Sequence, residues 1–153
     1  KITTLDLPDD NDIFIKTYNR NEQENRKKFI LNRDHVISLG KNIEFIKNNS
    51  INYLTTNKEK FDLIWVDGAH GSPDVVIDIC NSLHSINKNG FIICDDIFTK
   101  NIEDDQMYKS TAGFKTLLSF ANAGIIKKFN LVIKKFNNTE KFIAVIDAKN
   151  IIL

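Results

Sequence analysis

Two apolar segments of the sequence end in acidic side chains. The segment "FDLIWV" runs into Asp67 and, three residues later, His70, and the segment "FIIC" runs into Asp95 and Asp96. Carboxylate oxygens are ligands for hard divalent cations, and an imidazole can exchange a proton near neutral pH. These residue types therefore indicate an acid-rich site with a candidate proton acceptor.

The elements around these residues predict where they meet. Strand-like and helix-like segments alternate along the chain and end in a hairpin pattern, which predicts an α/β fold: a mainly parallel sheet, helices on both faces, and a C-terminal antiparallel hairpin. In such sheets ligands bind beyond the carboxyl ends of the strands. Asp6, Asp67, Asp95 and Asp96 all fall at predicted strand ends, although a lone aspartate there is usually a cap or turn residue.

The sequence also predicts the approximate bounds of the elements. The predicted strands lie within Lys1–Leu7, Asn42–Ser50, Phe61–Val66 (without alternation, hence covered on both faces) and Phe91–Cys94, with the hairpin loop at Asn137–Glu140. Four helices are predicted. The first is capped by Asn21 with Glu24 and ends at Gly40, and a short second one begins at Tyr53. The third is capped by Ser72, has Pro73 as its first residue and ends at Asn87–Gly90, and the fourth is capped by Ser110 or Thr111 and ends at Gly124. The predicted loops are Asp9–Arg20 and Phe98–Ser110, the latter with an acidic patch at Glu103, Asp104 and Asp105.

Composition narrows the functional classes. The chain has 153 residues and a formal net charge of +1, so charge gives no case for binding nucleic acid or an anionic membrane. Lysine pairs such as Lys134-Lys135 are expected to be solvated. Cys80 and Cys94 sit in apolar patterns without metal-ligand spacing, which fits a reducing cytoplasm. The predicted partner is a small-molecule substrate, with no nucleic acid and no membrane, and a homodimer is left open.

Three carboxylates at neighbouring strand ends repel one another. Either some are protonated, or a cation neutralises them. We predict Mg²⁺ held by Asp67, Asp95 and Asp96; the rival account is an ion pair, with Lys100 as the nearest cation in the sequence. His70 lies in a glycine-containing loop and is a candidate base for a substrate hydroxyl or amine.

The first predicted strand offers a nucleotide site. An acid at the end of such a strand commonly accepts hydrogen bonds from ribose hydroxyls, and Asp6 is so placed. Ser50 could meet an adenine edge, or it could be a turn residue.

The segments "TTLDL", "IEFIKNNS", "FDLIWVDGAH" and "INKNGFIICDD", with the closing helix and hairpin, resemble successive motifs of the class I S-adenosylmethionine-dependent methyltransferases. The similarity is greatest to a subgroup with a D-G-x-H loop, near the metal-dependent O-methyltransferases of catechols, sugars and macrolides. The resemblance implies a Rossmann-like fold, S-adenosylmethionine as cofactor, and Mg²⁺ that would hold and acidify the substrate hydroxyl. Carried over by position, it implies these roles: cofactor binding by Asp6, Leu7, Ser50, Asp67 and Gly68; metal binding by Asp67, Asp95 and Asp96; catalysis by His70 as base, with Asp67.

One departure concerns the beginning of the chain. The family opens with a strand and a G-x-G-x-G loop, and neither is present here. We therefore expect one methyltransferase-like domain over residues 1–153 that lacks this segment, a fragment of a longer protein whose own activity is in doubt. Two alternatives stay open: a Rossmann-type domain for another nucleotide such as NAD, and a catalytically incomplete scaffold.

Overall fold

The computed structural model describes residues 1–18, 23–100, 109–136 and 139–152. The strands are β1 Ile2–Asp6, β2 Ile43–Lys47, β3 Phe61–Val66, β4 Ile86–Ile97, β5 Asn130–Phe136 and β6 Thr139–Asp147. The helices are α1 Asp12–Tyr18, α2 Gln23–Leu39, α3 Ser50–Thr56, α4 Asp74–Ser85 and α5 Ala112–Asn122, followed by a 3₁₀ turn at Ala148–Asn150. Within these residues, no helix is both long and apolar enough to cross a membrane. The chain divides into two compact units, Lys1–Tyr53 and Leu54–Leu153.

The first unit contains a parallel pair, β1 and β2, in which Asp6 lies opposite Lys47. The predicted loop at Asp9–Arg20 is wrong, because α1 forms within it. The side-chain oxygen of Asn11 accepts hydrogen bonds from the N–H groups of Ile13 and Phe14 at 2.9 and 3.3 Å, which caps the helix. The helix ending before Gly40 is confirmed as α2, whereas its predicted cap Asn21 lies outside the described residues.

The second unit contains a four-stranded sheet in the order β3-β4-β6-β5. β3 and β4 are parallel, whereas β6 pairs antiparallel with both β4 and β5, so the predicted terminal hairpin is confirmed. One face of this sheet packs on α4 and α5 to form the core. Its fully buried members are Ile79, Ile92, Leu117, Ile126, Ala144 and Ile146. The predicted α/β architecture is therefore present, with a mixed sheet.

Two details of the second unit differ from prediction. β3 was expected to be covered on both faces, but Leu63 and Trp65 are 56% and 51% exposed, because alternate side chains of the strand point away from the core. Asn87–Gly90 was expected to end a helix, yet β4 already begins at Ile86. A Cβ on Gly90 would lie 2.7 Å from the carbonyl oxygen of Asp62, so this glycine permits close strand contact.

Helix ends agree better with prediction. The hydroxyl oxygen of Ser110 accepts a hydrogen bond from the N–H of Ala112 at 3.1 Å, at the start of α5. Gly124 follows α5 with φ +72°, a conformation that favours glycine, as predicted. The predicted start of α4 is wrong: the helix begins at Asp74 with Pro73 at the N-cap position, so Pro73 is not its first residue and Ser72 does not cap it.

Candidate functional site

The predicted acidic residues Asp67, Asp95 and Asp96 lie toward the carboxyl ends of β3 and β4. The two strands are neighbours, and Val66 pairs with Cys94, so Asp67 and Asp95 each follow a paired residue. This adjacency was predicted from the order of the strands and is confirmed. Gly68, Ala69 and His70 continue from Asp67 into the loop before α4.

A β-bulge displaces Asp95 and Asp96 from regular pairing. Cys94 pairs with Ala144 and the next pair is Ile97 with Phe142, so β4 contains one more residue than β6 between these two pairs. Asp96 has φ +51°, a left-handed conformation that is uncommon outside glycine but tolerated by aspartate. Bulges bend a strand and redirect its side chains, and here the redirected side chains are carboxylates.

Lysines of the C-terminal hairpin contact both carboxylates. Lys134 Nζ donates to Asp95 Oδ1 and Oδ2 at 3.1 and 2.8 Å, and Lys141 Nζ donates to Asp96 Oδ1. An ion pair was the rival prediction, but its cations are these lysines rather than Lys100. The expectation that Lys134 is merely solvated is wrong, because its ammonium group binds a carboxylate whose side chain is 8% exposed.

His70 is placed against this cluster. The residue is 9% exposed, and its Nε2 lies 3.8 Å from Asp96 Oδ2. That separation allows electrostatic attraction but is too long for a hydrogen bond. The imidazole is thus held in the loop after β3, beside a carboxylate whose other oxygen is bound by Lys141.

The carboxylates differ in their electrostatic surroundings. Burial raises the pKa of Asp67, and the negative charge of Asp95 raises it further, against an opposing effect of His70. Burial also opposes ionisation of Asp95, but hydrogen bonds from Lys134 and from the Asp96 N–H outweigh it, so the pKa of Asp95 is lowered. The hydrogen bond to Asp95 raises the pKa of Lys134. Of the three carboxylates, Asp67 alone has no lysine partner among the described residues.

These residues do not fit a magnesium site. Among the described residues, no three or more histidine, cysteine, aspartate or glutamate side chains are grouped so that they could hold a metal ion. Both oxygens of Asp95 and one of Asp96 already accept hydrogen bonds from lysine. The prediction of Mg²⁺ at Asp67, Asp95 and Asp96 is not supported, since it overlooked cations that are distant in sequence.

The first unit holds the other predicted site residues. Asp6 ends β1, and its Oδ1 accepts a hydrogen bond from the Leu7 N–H at 2.9 Å. Its Oδ2 lies 3.6 Å from Arg33 Nη1, which leaves this oxygen able to accept from a hydroxyl. Burial raises the pKa of Asp6, against opposing hydrogen bonds and charge from Leu7 and Arg33. Ser50 begins α3, directly after Asn49, whose side chain accepts the Ile51 N–H.

Sequence reasoning missed two buried charged residues near these positions. Arg33 has a side chain 9% exposed, binds Asp9 at 2.8 Å, and lies 4.6 Å from the ring centre of Phe45. Asp78 is 6% exposed, and a Cβ built on Gly68 would lie 3.5 Å from its Oδ2. The signal for Asp78 was a carboxylate within the apolar stripe of α4. The signal for Arg33 was weaker, because it is one of two arginines on a polar helix.

The chain matches a known family in sequence and solved structures in fold. Residues 1–97 match the family described as a methyltransferase domain. No curated protein matches the sequence. Many solved structures share the fold, so the Rossmann-like α/β arrangement is that of methyltransferases.

Three of those structures illustrate the likeness. Cofactor-bound Rv0187 from MTB has a TM-score of 0.65 at 13% identity, over 98% of this chain and 62% of that one. TomG, an O-methyltransferase from Streptomyces achromogenes involved in tomaymycin synthesis and solved with S-adenosylmethionine, has a TM-score of 0.54 at 12% identity, over 95% and 60%. The S-adenosylhomocysteine-bound methyltransferase PaMTH1 from Podospora anserina has a TM-score of 0.51 at 19% identity, over 96% and 60%. This chain therefore spans about three fifths of the length of each.

Proposed function

The chain belongs to the methyltransferase domain family, and from this premise we propose that the protein transfers a methyl group from S-adenosylmethionine to a hydroxyl or amine of a small molecule. The match over residues 1–97 and the Rossmann-like fold support the reaction class. The sequence Asp67-Gly68-Ala69-His70 supports a place in the branch with a D-G-x-H loop.

This proposal is supported mainly by a difference among the three carboxylates in their cationic partners. Asp95 and Asp96 each bind a lysine, whereas Asp67 lies beside them at the end of β3 without a lysine partner among the described residues. A carboxylate beside other carboxylates is stabilised by a cationic ligand. S-adenosylmethionine carries two positive groups, a sulfonium and an ammonium, and Asp67 would face this part of the molecule, next to Gly68.

Asp6, Leu7 and Ser50 are proposed for the nucleoside part, from the family resemblance. Asp6 would accept hydrogen bonds from the ribose hydroxyls through its Oδ2, because its Oδ1 is occupied by the Leu7 N–H. Leu7 would supply apolar contact beside the ribose. Ser50, at the start of α3, would lie near the adenine.

His70 is proposed as the base. When bound, S-adenosylmethionine supplies an electrophilic methyl carbon, whose bond to sulfur breaks as a bond to the acceptor oxygen or nitrogen forms, leaving S-adenosylhomocysteine. His70 would take the proton that the acceptor loses. Asp96, 3.8 Å from Nε2, would stabilise the imidazolium that results. Burial of the imidazole in the loop after β3 limits its orientation and therefore helps position the acceptor.

Replacement of His70 tests this assignment. The full-length protein would be assayed for transfer of a labelled methyl group from S-adenosylmethionine to a panel of catechols, sugars and amines. His70→Gln should lower kcat by a factor on the order of 10² to 10⁴ while the Kd for S-adenosylmethionine stays within about twofold. Added imidazole should restore part of the rate.

The matched control is His35→Gln, on the exposed surface of α2, which should leave kcat unchanged. A His70→Gln enzyme that turns over like the wild type would remove His70 as the base. No transfer by the wild type to any member of the panel, together with no binding of S-adenosylmethionine, would overturn the proposed function itself.

A further inference from the structure

Two lysines face each other across the C-terminal hairpin. Lys134 on β5 and Lys141 on β6 are directly paired in the antiparallel register, between the pairs Ile133–Phe142 and Lys135–Glu140. Like charges opposite each other destabilise a strand pair, so this arrangement needs compensating negative charge. The compensation comes from outside the hairpin, since each ammonium binds a carboxylate at the end of β4.

The end of β4 is shaped to meet these lysines. The bulge between Cys94 and Ile97 inserts one residue, and Asp96 takes the left-handed conformation at φ +51°. A strained conformation persists only where its surroundings stabilise it, and here two ion pairs do so. The bulge and the lysine pair lie on different strands, and each is costly without the other.

We propose that the lysine pair of the hairpin takes the place of a divalent cation, so that Lys134 and Lys141 neutralise Asp95 and Asp96 and methyl transfer proceeds without metal. This inference rests on the proposed function. It is based on the hydrogen bonds of the two aspartates, since three carboxylate oxygens of Asp95 and Asp96 accept hydrogen bonds from the lysine ammonium groups. A metal ion would have to displace both lysines from partners whose side chains are 8% and 20% exposed.

The lysines serve as positioning residues in this account. Lys141 holds one oxygen of Asp96 and leaves the other, Oδ2, at 3.8 Å from His70. Lys134 fixes both oxygens of Asp95, whereas Asp67 has no lysine partner within the described part of the chain. Two fixed ammonium groups supply the positive charge that the acid cluster needs, and they cannot be removed by chelation.

Binding of Mn²⁺ tests the proposal without reference to turnover. The full-length wild type would be titrated with Mn²⁺ and the free ion followed by electron paramagnetic resonance. We expect no stoichiometric site at Asp95 and Asp96 with a Kd below about 1 mM, a generous limit for protein sites of this kind. A single site of that affinity that Asp96→Asn abolishes would overturn the proposal.

Catalysis provides the second arm. Transfer should be the same in EDTA and in added Mg²⁺, and loss in EDTA that Mg²⁺ restores would contradict the proposal. Lys141→Met should lower kcat on the order of tenfold or more at unchanged Kd for S-adenosylmethionine, with Lys141→Arg close to wild type. Lys128→Met, an exposed lysine before β5, is the control.

The two arms separate this inference from the proposed function. Failure to bind S-adenosylmethionine would refute the function, whereas the Mn²⁺ titration would still decide whether the lysines exclude a metal. If Lys141→Met does not fold, Lys141→Arg and the wild-type titration suffice. A Lys141→Met enzyme with the activity of the Lys128→Met control would refute the role of the lysine.

Discussion

Substitution of Lys134 by methionine should destabilise the second unit. Methionine keeps most of the apolar stem of the lysine and removes the ammonium group. Among the described residues, Asp95, with a side chain 8% exposed, would then keep the Asp96 N–H at 2.8 Å as its hydrogen-bond donor. A buried carboxylate deprived of its counter-ion loses stabilisation that water cannot fully replace.

The expected size follows from the burial of the two partners. Exposed ion pairs contribute about 0.2–1 kcal/mol, whereas breaking a fully buried pair costs about 3–5 kcal/mol. Here the acid is buried but the lysine side chain is 41% exposed, which calls for a strong discount for solvent screening. We therefore expect Lys134→Met to lower the midpoint of unfolding by more than the loss of an exposed ion pair would, and by well below the loss of a fully buried one.

The effect should depend on pH in a defined window. The pKa of Asp95 is lowered from 3.8 in the folded protein, so its contribution is present above that value and is lost as the pH falls through the folded pKa. The pKa of Lys134 is raised from 10.5, so its contribution is present below that value and is lost at higher pH. The difference between wild type and Lys134→Met should therefore disappear at both extremes.

Urea unfolding followed by tryptophan fluorescence measures this directly. Trp65, the only tryptophan of the chain, lies on β3 in the same unit and reports its unfolding. Lys128→Met is the matched control and should change the free energy of unfolding by less than about 0.5 kcal/mol. Adding Asp95→Asn to Lys134→Met should recover stability, because no buried charge is then left unpaired. A Lys134→Met midpoint equal to that of Lys128→Met would show that the ion pair between Lys134 and Asp95 does not stabilise the fold.

Three further outcomes are expected. Asp6→Ala should weaken S-adenosylmethionine binding by about tenfold or more in calorimetry, since hydrogen bonds to charged groups contribute about 1.5–3 kcal/mol. The control Asp10→Ala, at an exposed neighbouring residue, should leave the affinity unchanged, and equal affinities of the two variants would exclude Asp6 from the site. Gly124→Ala should cost about 1–2 kcal/mol in urea unfolding, because φ is +72° there, and an unchanged midpoint would contradict it. Iodoacetamide at pH 8 should modify Cys80 before Cys94, whose burial raises its pKa to about 12; equal rates by mass spectrometry would count against the buried placement of Cys94.

Local patterns in the sequence were sufficient for much of the fold. β3 spans the same residues as the apolar run Phe61–Val66, and Gly124 closes α5, because burial and a left-handed turn leave clear marks in composition. Helix α1 was missed because its signal is a single cap, Asn11, in an otherwise polar stretch. The strand at Ile86–Gly90 was missed because the Asn-Lys-Asn-Gly sequence is typical of a turn.

The sequence predicted which acids lie together and did not predict which lysines bind them. Strand order alone brings Asp67 and Asp95 together, since neighbouring parallel strands end at the same edge. The partners of Asp95 and Asp96 are 39 and 45 residues away in sequence. Their approach depends on the hairpin register and on a bulge of one residue, and a shift of one residue would turn Lys134 to the other face of the sheet.

Calorimetric titration of the full-length protein with S-adenosylmethionine tests whether the protein binds the proposed cofactor. We predict binding of one molecule per chain with a Kd between about 1 μM and 1 mM, the usual range for enzyme substrates. We also predict weaker binding to Asp67→Asn, because Asp67, which has no lysine partner among the described residues, is proposed to face the cationic ligand. No heat of binding at millimolar S-adenosylmethionine, or equal affinity for wild type and Asp67→Asn, would contradict the proposal.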